Sequence, residues 1–423
     1  MSAVAAPTLP TAGSDPRIVE IPEALPPVAL YIHVPFCVSL CPYCDFVVYA
    51  GAAARGPMAR IAAFLDAVLT EIDLRTEDLD DRFGSGRPPL DTVYIGGGTP
   101  SLLPSDDIER LLARVRERFG IAPGAEVTLE ANPGPDERGD PATLRRAGVT
   151  RISFGAQSLD DGELRRLGRR HRAADVASAV AGAREAGVAS VNLDLLYDTP
   201  DGTLATWRAT LDTALELAPD HLSLYALTLD DPDAEGLTGP AGDHLPTTRG
   251  ARRWREGARP AQDEDRAAAE YRHATAVLAD AGFRGYEISN WARPGHESRH
   301  NLAYWRRRPY EAVGPGAHAF DGATRRWNAA RLDGYLAALR DPAPALPPGG
   351  HESVGRTVAA AESVILRLRL DTGVPLAAAH EPPLADALDW ALAAEVLDVT
   401  ADDHVVLTTR GRLLSNELFA RLL

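Results

Sequence analysis

His33–Phe46 reads HVPFCVSLCPYCDF and carries every cysteine of this 423-residue chain: Cys37, Cys41 and Cys44, at C-x3-C-x2-C spacing. Thiolates are the ligands that hold iron–sulfur clusters, and a cubane cluster has four irons. Three cysteines with no fourth leave one iron without a protein thiolate. An open metal position is where a small molecule coordinates and reacts. Two other readings of the thiols stand beside this one. They can be small buried hydrophobes, or they can hold zinc together with a histidine such as His33. Zinc would bring a further cysteine or histidine pair at knuckle spacing, and none follows. An odd number of thiols and a reducing compartment both argue against a disulfide.

Outward from this loop, short apolar segments rich in Val, Ile, Leu, Tyr and Phe recur. They are residues 28–34, 92–97, 126–131, 151–155, 190–197 and 221–227, and each predicts a strand. Helical periodicity fills the intervals at 61–74, 108–119, 141–147, 175–186, 204–217 and 266–281. Ala147-Gly148 and Ala186-Gly187 read as helix C-caps leading into strands. Strands alternating with helices predict a parallel sheet with right-handed crossovers. Six such units predict an α/β fold, an open six-stranded partial (β/α) barrel. A doubly wound sheet fits the same periodicity.

Ligands gather at the C-terminal ends of parallel strands. The cysteine loop follows the first strand and Gly96-Gly97-Gly98-Thr99-Pro100 follows the second. Glu130 and Asn132 end the third, Gln157 and Ser158 the fourth; Asp194 lies within the fifth and Thr228 ends the sixth. The glycines let backbone approach a ligand, because no Cβ intrudes. Glu130 and Asp194 sit among apolar residues, where a carboxylate needs a partner, and a ligand amine or ribose hydroxyl would supply one. Arg169 offers a planar fork suited to a carboxylate.

The chain is 45% hydrophobic and 25% charged with a net charge of −16, globular composition that argues against general nucleic-acid binding. Residues 1–27, rich in Ala and Pro, read as a disordered tail and not as a secretory signal. No apolar run reaches membrane-spanning length, so a cytoplasmic location is expected. Residues 229–262 read as a long polar loop and 340–350 as a Pro/Gly linker. The barrel with its extension is therefore expected over 28–339. A small, mainly helical domain of winged-helix character is expected over 351–423, with helices at 356–370, 384–394 and 411–422 and a hairpin at 400–407.

The ordered set YIHVPFC, CPYCDF, GGGTPS, LEANP, RISFGAQS, LGRRH and SVNLDLLY resembles the radical S-adenosylmethionine superfamily. Within it the set is similar to the branch holding oxygen-independent coproporphyrinogen III oxidases and HemW-type heme chaperones, from about residue 28 to the end of the chain. The resemblance implies a 4Fe-4S cluster on Cys37, Cys41 and Cys44, with S-adenosylmethionine on the open iron. By position it implies S-adenosylmethionine contacts at Tyr31, Tyr43, Gly97, Gly98, Thr99, Glu130, Gln157, Arg169, Asp194 and Thr228. The oxidases carry a further cysteine two residues past the third, where this chain has Phe46; the chaperones typically show CDF. HNLAYW, His300–Trp305, followed by GPGAHAF, resembles the chaperones' HNxxYW region, which makes His300 the implied heme ligand. Arg299 and Arg306–Arg308 stand nearby as partners for heme propionates, and His33, His296 and His318 are rival ligands. One departure is Asp198, where the family usually has glycine.

The resemblance thus implies a heme chaperone with heme as cargo, a heme-acceptor protein such as a respiratory-chain hemoprotein, and a reductant for the cluster. The alternative is a coproporphyrinogen III oxidative decarboxylase of porphyrin biosynthesis. A third possibility is a radical enzyme acting on another substrate.

Overall fold

The computed structural model describes residues 22–50, 59–229, 236–340 and 342–423. The expected tail therefore lies outside the described residues up to residue 21. Residues 22–27 run along the sheet, where Leu25 N donates to Asp321 O. The described residues form two units, 22–354 and 355–423.

In the larger unit the predicted strands stand side by side in chain order, each parallel to the next. They are β1 Ala29–Val34, β2 Leu90–Gly97, β3 Ile121–Ala131, β4 Arg151–Gln157, β5 Ser190–Tyr197 and β6 His221–Ala226. Helices α1 Ala59–Phe83, α2 Ser105–Arg118, α3 Pro141–Ala147, α4 Asp161–Arg166, α5 Ala173–Glu185 and α6 Leu204–Glu216 fill the crossovers. Gly148 ends α3 with φ 116°, a left-handed C-cap that residues with a Cβ adopt at a cost. Asp198, where glycine was expected, takes φ 54°. Its carboxylate is held by Arg266 Nη2 at 2.5 Å, so the turn keeps a glycine-like backbone on an ion pair.

The sheet continues past these strands to twelve. Beyond β6 lie β7 Arg284–Gly285 and β8 Asn290–Ala292, with β8 antiparallel to β6. On the other side β9 Tyr310–Val313 runs parallel to β1. It is followed by β10 His318–Phe320, β11 Thr324–Asn328 and β12 Gly349–Ser353, all antiparallel. Because β12 pairs with β11, the glycines of the expected linker belong to the larger unit.

Register divides the two faces. Ile32, Ile95, Leu129, Phe154, Leu193 and Leu222 are fully buried against the helical layer, each worth roughly 1.5–3 kcal/mol of hydrophobic stabilisation. One residue off, Tyr94 pairs with Thr128, Glu130 with Ser153, Ser153 with Asn192, Asn192 with His221 and Asp194 with Ser223. One face is therefore polar along its whole length. A doubly wound sheet, covered by helices on both faces, would show continuous apolar strands instead.

The segment read as a polar loop contains α7 Arg249–Ala258, after residues 230–235 that are not among those described. Its sequence, RGARRWREGA, is dominated by arginine and glycine, and its narrow apolar stripe, Ala251, Trp254 and Ala258, was too sparse to read as a helix. After it come α8 Glu264–Asp280, α9 Arg299–Trp305 and α10 Leu332–Ala338. The smaller unit begins with α11 Arg356–Arg369 and includes a helix at Ala385–Ala393. It also has a three-stranded sheet of Val374–Pro375, Leu397–Val399 and His404–Leu407. Where one final helix was expected there are two, Thr409–Leu413 and Ser415–Phe419. Thr408 caps the first through Gly411 N, and Leu414 departs from helical geometry between them. Among the described residues no helix is long and apolar enough to cross a membrane.

Candidate functional site

The cysteine loop leaves β1 and is docked onto the glycine run after β2. Gly98 N donates to Val34 O at 2.8 Å and Thr99 N to Phe36 O at 2.7 Å. A Cβ on Gly98 would stand 2.6 Å from Phe36 O, and one on Gly97, at φ 112°, 2.5 Å from the His33 ring. The glycines were expected to admit a ligand. They are required first by the close approach of the cysteine loop itself.

Three side chains outside the loop hold it directly, Thr99, Arg169 and Arg255, with Asn132 and Glu137 behind them. Thr99 Oγ1 donates to Cys37 Sγ at 3.5 Å, and Arg169 Nη1 to Cys41 Sγ at 3.3 Å. Arg169 Nη2 also donates to Asn132 Oδ1 and to Gly155 O. Asn132 Nδ2 donates to Thr99 Oγ1 at 3.0 Å and to Glu137 Oε2 at 2.8 Å. From α7, Arg255 donates to Pro42 O at 3.1 Å and to Cys44 O at 2.9 Å. The sequence reading assigned Thr99 and Arg169 and set Asn132 among the strand-end polar groups, but gave no role to Glu137 or Arg255. Arg255 had no signal, because its helix was not recognised.

Burial pushes the Cys37 thiol up to about 11, against the Thr99 hydrogen bond, and also raises Cys44. Thiolates at these positions need a bound cation to deprotonate them, as cluster iron does. Among the described residues no three His, Cys, Asp or Glu side chains converge as around a single ion. A cubane makes no such demand, because each thiolate takes a different iron. The donor set therefore fits three irons of a cluster, and the buried Arg169 Nε, which has no acceptor among the described residues, stands beside it. Tyr43 packs on the cluster of Leu167, Leu196, Leu227, Leu229 and Ala258. Phe46 is 64% exposed.

Glu130 and Asp194 lie on the polar face below the loop, both half-buried. Neither waits for a ligand, as the sequence had implied. Glu130 accepts from Tyr94 Oη at 2.8 Å and from Gly97 N at 2.9 Å. Asp194 accepts from Ser153 Oγ at 3.0 Å and from Asn192 Nδ2 at 2.8 Å. Burial raises both carboxyls, Glu130 to about 7 with help from the Asp194 charge. Gln157 sits at a register shift between β4 and β5 with φ 65°, its amide lying over Gly155. His33 Nε2 must donate to Val47 O at 2.7 Å, since a carbonyl only accepts. The Tyr31 hydroxyl, 2.9 Å from His33 Nδ1, is therefore the donor in that pair. Thr228 is exposed just past β6.

His300 borders this group: its ring lies 5.1 Å from that of Tyr94, whose hydroxyl donates to Glu130. It lies on α9, against the inner face of β2 at Thr92. Thr92 precedes Gly97 by five residues, about 16 Å along a strand rising ~3.3 Å per residue. The imidazole is 1% exposed, and both nitrogens are engaged, Nδ1 with Thr92 Oγ1 at 2.7 Å and Nε2 with Tyr304 Oη at 2.8 Å. In this arrangement it has no nitrogen to offer a heme iron. The rival histidines are held as well: His33 as above, His318 Nε2 by Asp243 at 2.9 Å, and His296 Nδ1 by Ser190 Oγ at 3.2 Å. Arg299 donates to Gly124 O, Arg307 stacks over Phe320, and Arg308 pairs with Asp91.

A family model described as the radical SAM superfamily matches residues 31–214, the span that holds the cysteine loop and β1–β5. The heme chaperone HemW of Mycobacterium tuberculosis is 40% identical over 411 residues, covering 96% of this chain and 98% of that protein. The heme chaperone HemW of Escherichia coli is 38% identical over 294 residues, 70% of each chain. Among solved structures, the coproporphyrinogen III oxidase HemN of Escherichia coli superposes with a TM-score of 0.75 at 24% identity, covering 96% of this chain and 91% of that one. That likeness shows a common fold. With a docked three-cysteine loop over a polar sheet face, and kinship along nearly its whole length, this chain belongs to the HemW family of the radical SAM superfamily.

Proposed function

We infer that this chain carries heme to an acceptor protein on a scaffold that retains a 4Fe-4S cluster and S-adenosylmethionine. The observation that carries the reading is its likeness to named heme chaperones along nearly the whole chain. Cys37, Cys41 and Cys44 would hold three irons, and the cluster would supply an electron to S-adenosylmethionine on the fourth. The remaining work falls to the chain's own groups. Arg169 braces Cys41 and keeps a buried N–H for an anionic group such as a carboxylate. Thr99 and Asn132 brace Cys37. Glu130, Gln157 and Asp194 present polar edges below the loop, with Tyr31, Tyr43 and Thr228 around them as further contacts. The fixed donors on Glu130 and Asp194 orient both carboxylates before a ligand arrives, which lowers the ordering cost of binding.

Phe46 favours the chaperone over the oxidase reading, because the oxidases resemble a pattern with cysteine at that position. Transfer tests the reading. Anaerobic, cluster-loaded protein charged with heme is mixed with an apo-hemoprotein, and the acceptor's absorption spectrum is followed. Appearance of the holo spectrum faster than from free heme is expected. Heme retained on the chain, or not bound at all, would contradict it.

A further inference from the structure

On a chain of net charge −16, the ground beside the cysteine loop is basic. Two segments flank the loop along Cys41–Cys44. The turn after α4 packs on it, since a Cβ on Gly168 would stand 3.0 Å from Pro42 Cδ. From α7, Arg255 donates to Pro42 O and Cys44 O. The two segments are also joined to each other, because Trp254 Nε1 of α7 donates to Arg166 O at 3.2 Å. The Trp254 ring lies 6.3 Å from that of Tyr43, the residue before Cys44. Loop, α4 and α7 therefore present one continuous surface.

Helix α7 turns Ala251, Trp254, Arg255 and Ala258 inward and leaves Arg249, Arg252 and Arg253 exposed. Arg165 and Arg166, in the last turn of α4, are exposed too. On α4, α7 and the loop as far as Phe46, the exposed acids are Asp45 and Glu256, two against five arginines. Arg165, Arg166, Arg249 and Arg253 make no side-chain hydrogen bond or ion pair among the described residues, so their charge is turned outward. Phe46 stands exposed beside them, two residues past Cys44. An aromatic side chain among arginines is the composition of an interface centre.

The loop decides what such a surface is for. A cluster on Cys37, Cys41 and Cys44 has to be reduced before it can pass an electron on. The chain has no further cysteine for a second cluster that would relay one, so the electron comes from another molecule. An outward positive field draws an acidic protein, raising encounter rates by roughly 10- to 1,000-fold at low salt.

We propose that the face made by Phe46, α4 and α7 is the docking surface for a small acidic protein that donates one electron to the cluster. The proposal rests on the cluster reading above. One electron leaves the donor's reduced centre, which is oxidised by one, and the cluster is reduced by one; no bond forms or breaks. Trp254 and Tyr43 lie between the docked donor and the thiolates.

The test uses the full chain with its cluster and reduced flavodoxin, an acidic flavoprotein, as donor. Bleaching of the cluster absorption reads the second-order rate of reduction, and calorimetry with oxidised flavodoxin reads binding without electron transfer. In wild type both are strongest at low salt and fall as salt rises. Arg249→Glu combined with Arg253→Glu lowers rate and affinity about tenfold at low salt, and the gap closes at high salt. Phe46→Ser lowers affinity at every salt concentration. Arg208→Glu combined with Arg272→Glu, at exposed positions of α6 and α8, changes the net charge equally and leaves both readings at wild-type values. Dithionite, which needs no docking, reduces all variants alike, which certifies cluster and fold. No reducible cluster in wild type would overturn the cluster reading and this proposal with it. A cluster that dithionite reduces, with flavodoxin readings that ignore the α7 pair or respond equally to the α6 and α8 pair, would overturn the docking surface alone.

Discussion

His300 and Tyr304, one helical turn apart on α9, close on each other through Nε2 and the phenol oxygen at 2.8 Å, while Thr92 holds Nδ1 from β2. Whichever tautomer is present, one nitrogen donates and the other accepts, so the ring is fully used. Burial holds His300 down to about 3, hence neutral. The pair pins α9 to the inner face of the sheet, and Glu126 accepts from the first N–H groups of that helix, Arg299 N and His300 N, both at 3.1 Å. His300→Ala leaves Thr92 and Tyr304 without their partner. It should lower unfolding stability by about 1–3 kcal/mol, read by denaturant titration, with heme affinity retained in the folded fraction.

The cysteine loop depends on its braces as well as on its thiols. Cys37→Ala, Cys41→Ala and Cys44→Ala should each abolish the iron content of anaerobically purified protein. Arg169→Ala and Arg255→Ala remove outer hydrogen bonds to the loop and should weaken cluster retention by about 10–100-fold. Iron and sulfide analysis during chelator challenge reads this. Zinc in place of iron in fresh protein would remove the cluster reading.

Glu130 is raised to about 7 from 4.5 by burial and then by Asp194. Between those values the native state holds a proton that the unfolded chain lacks, so this group's contribution is lost as pH rises through that window. Glu130→Gln should flatten that slope in denaturation series from pH 4.5 to 7. His33 and His300, lowered by burial to about 4 and about 3, act in the opposite direction. Their contribution is present above 6.5 and is lost as pH falls toward their folded values.

The same two carboxylates face the region below the loop. Glu130→Ala and Asp194→Ala should weaken the effect of S-adenosylmethionine on the reduced cluster's electron paramagnetic resonance spectrum. Unchanged binding in both variants would take them out of that site.

The strands were legible because buried parallel strands are compact apolar runs between glycine-capped helices; β5 falls at Ser190–Tyr197, as its sequence predicted. That one face of the sheet is polar was also written there. Ser190, Asn192 and Asp194 alternate with Val191, Leu193 and Leu195, and His221 and Ser223 with Leu222 and Leu224, which is the pattern of a sheet with one polar face. The cysteines, Thr99 and Arg169 were found because their chemistry is local. Glu137 and Arg255, and the bracing role of Asn132, were missed, because bracing a loop from other strands and helices is a property of register and packing. For His300, the residue type and its aromatic neighbours read as a ligand, yet those same neighbours supply the hydrogen bond that occupies it.

The central claim, heme carriage on a radical SAM scaffold, is tested most directly on one sample of anaerobic, cluster-loaded protein with S-adenosylmethionine and a reductant. Heme is titrated into one portion and coproporphyrinogen III is supplied to the other, with carbon dioxide release measured. The account predicts saturable binding of about one heme per chain, as a single seat requires, and no decarboxylation. Sustained release of carbon dioxide from coproporphyrinogen, with no saturable heme binding, would contradict it and make the chain an oxidase.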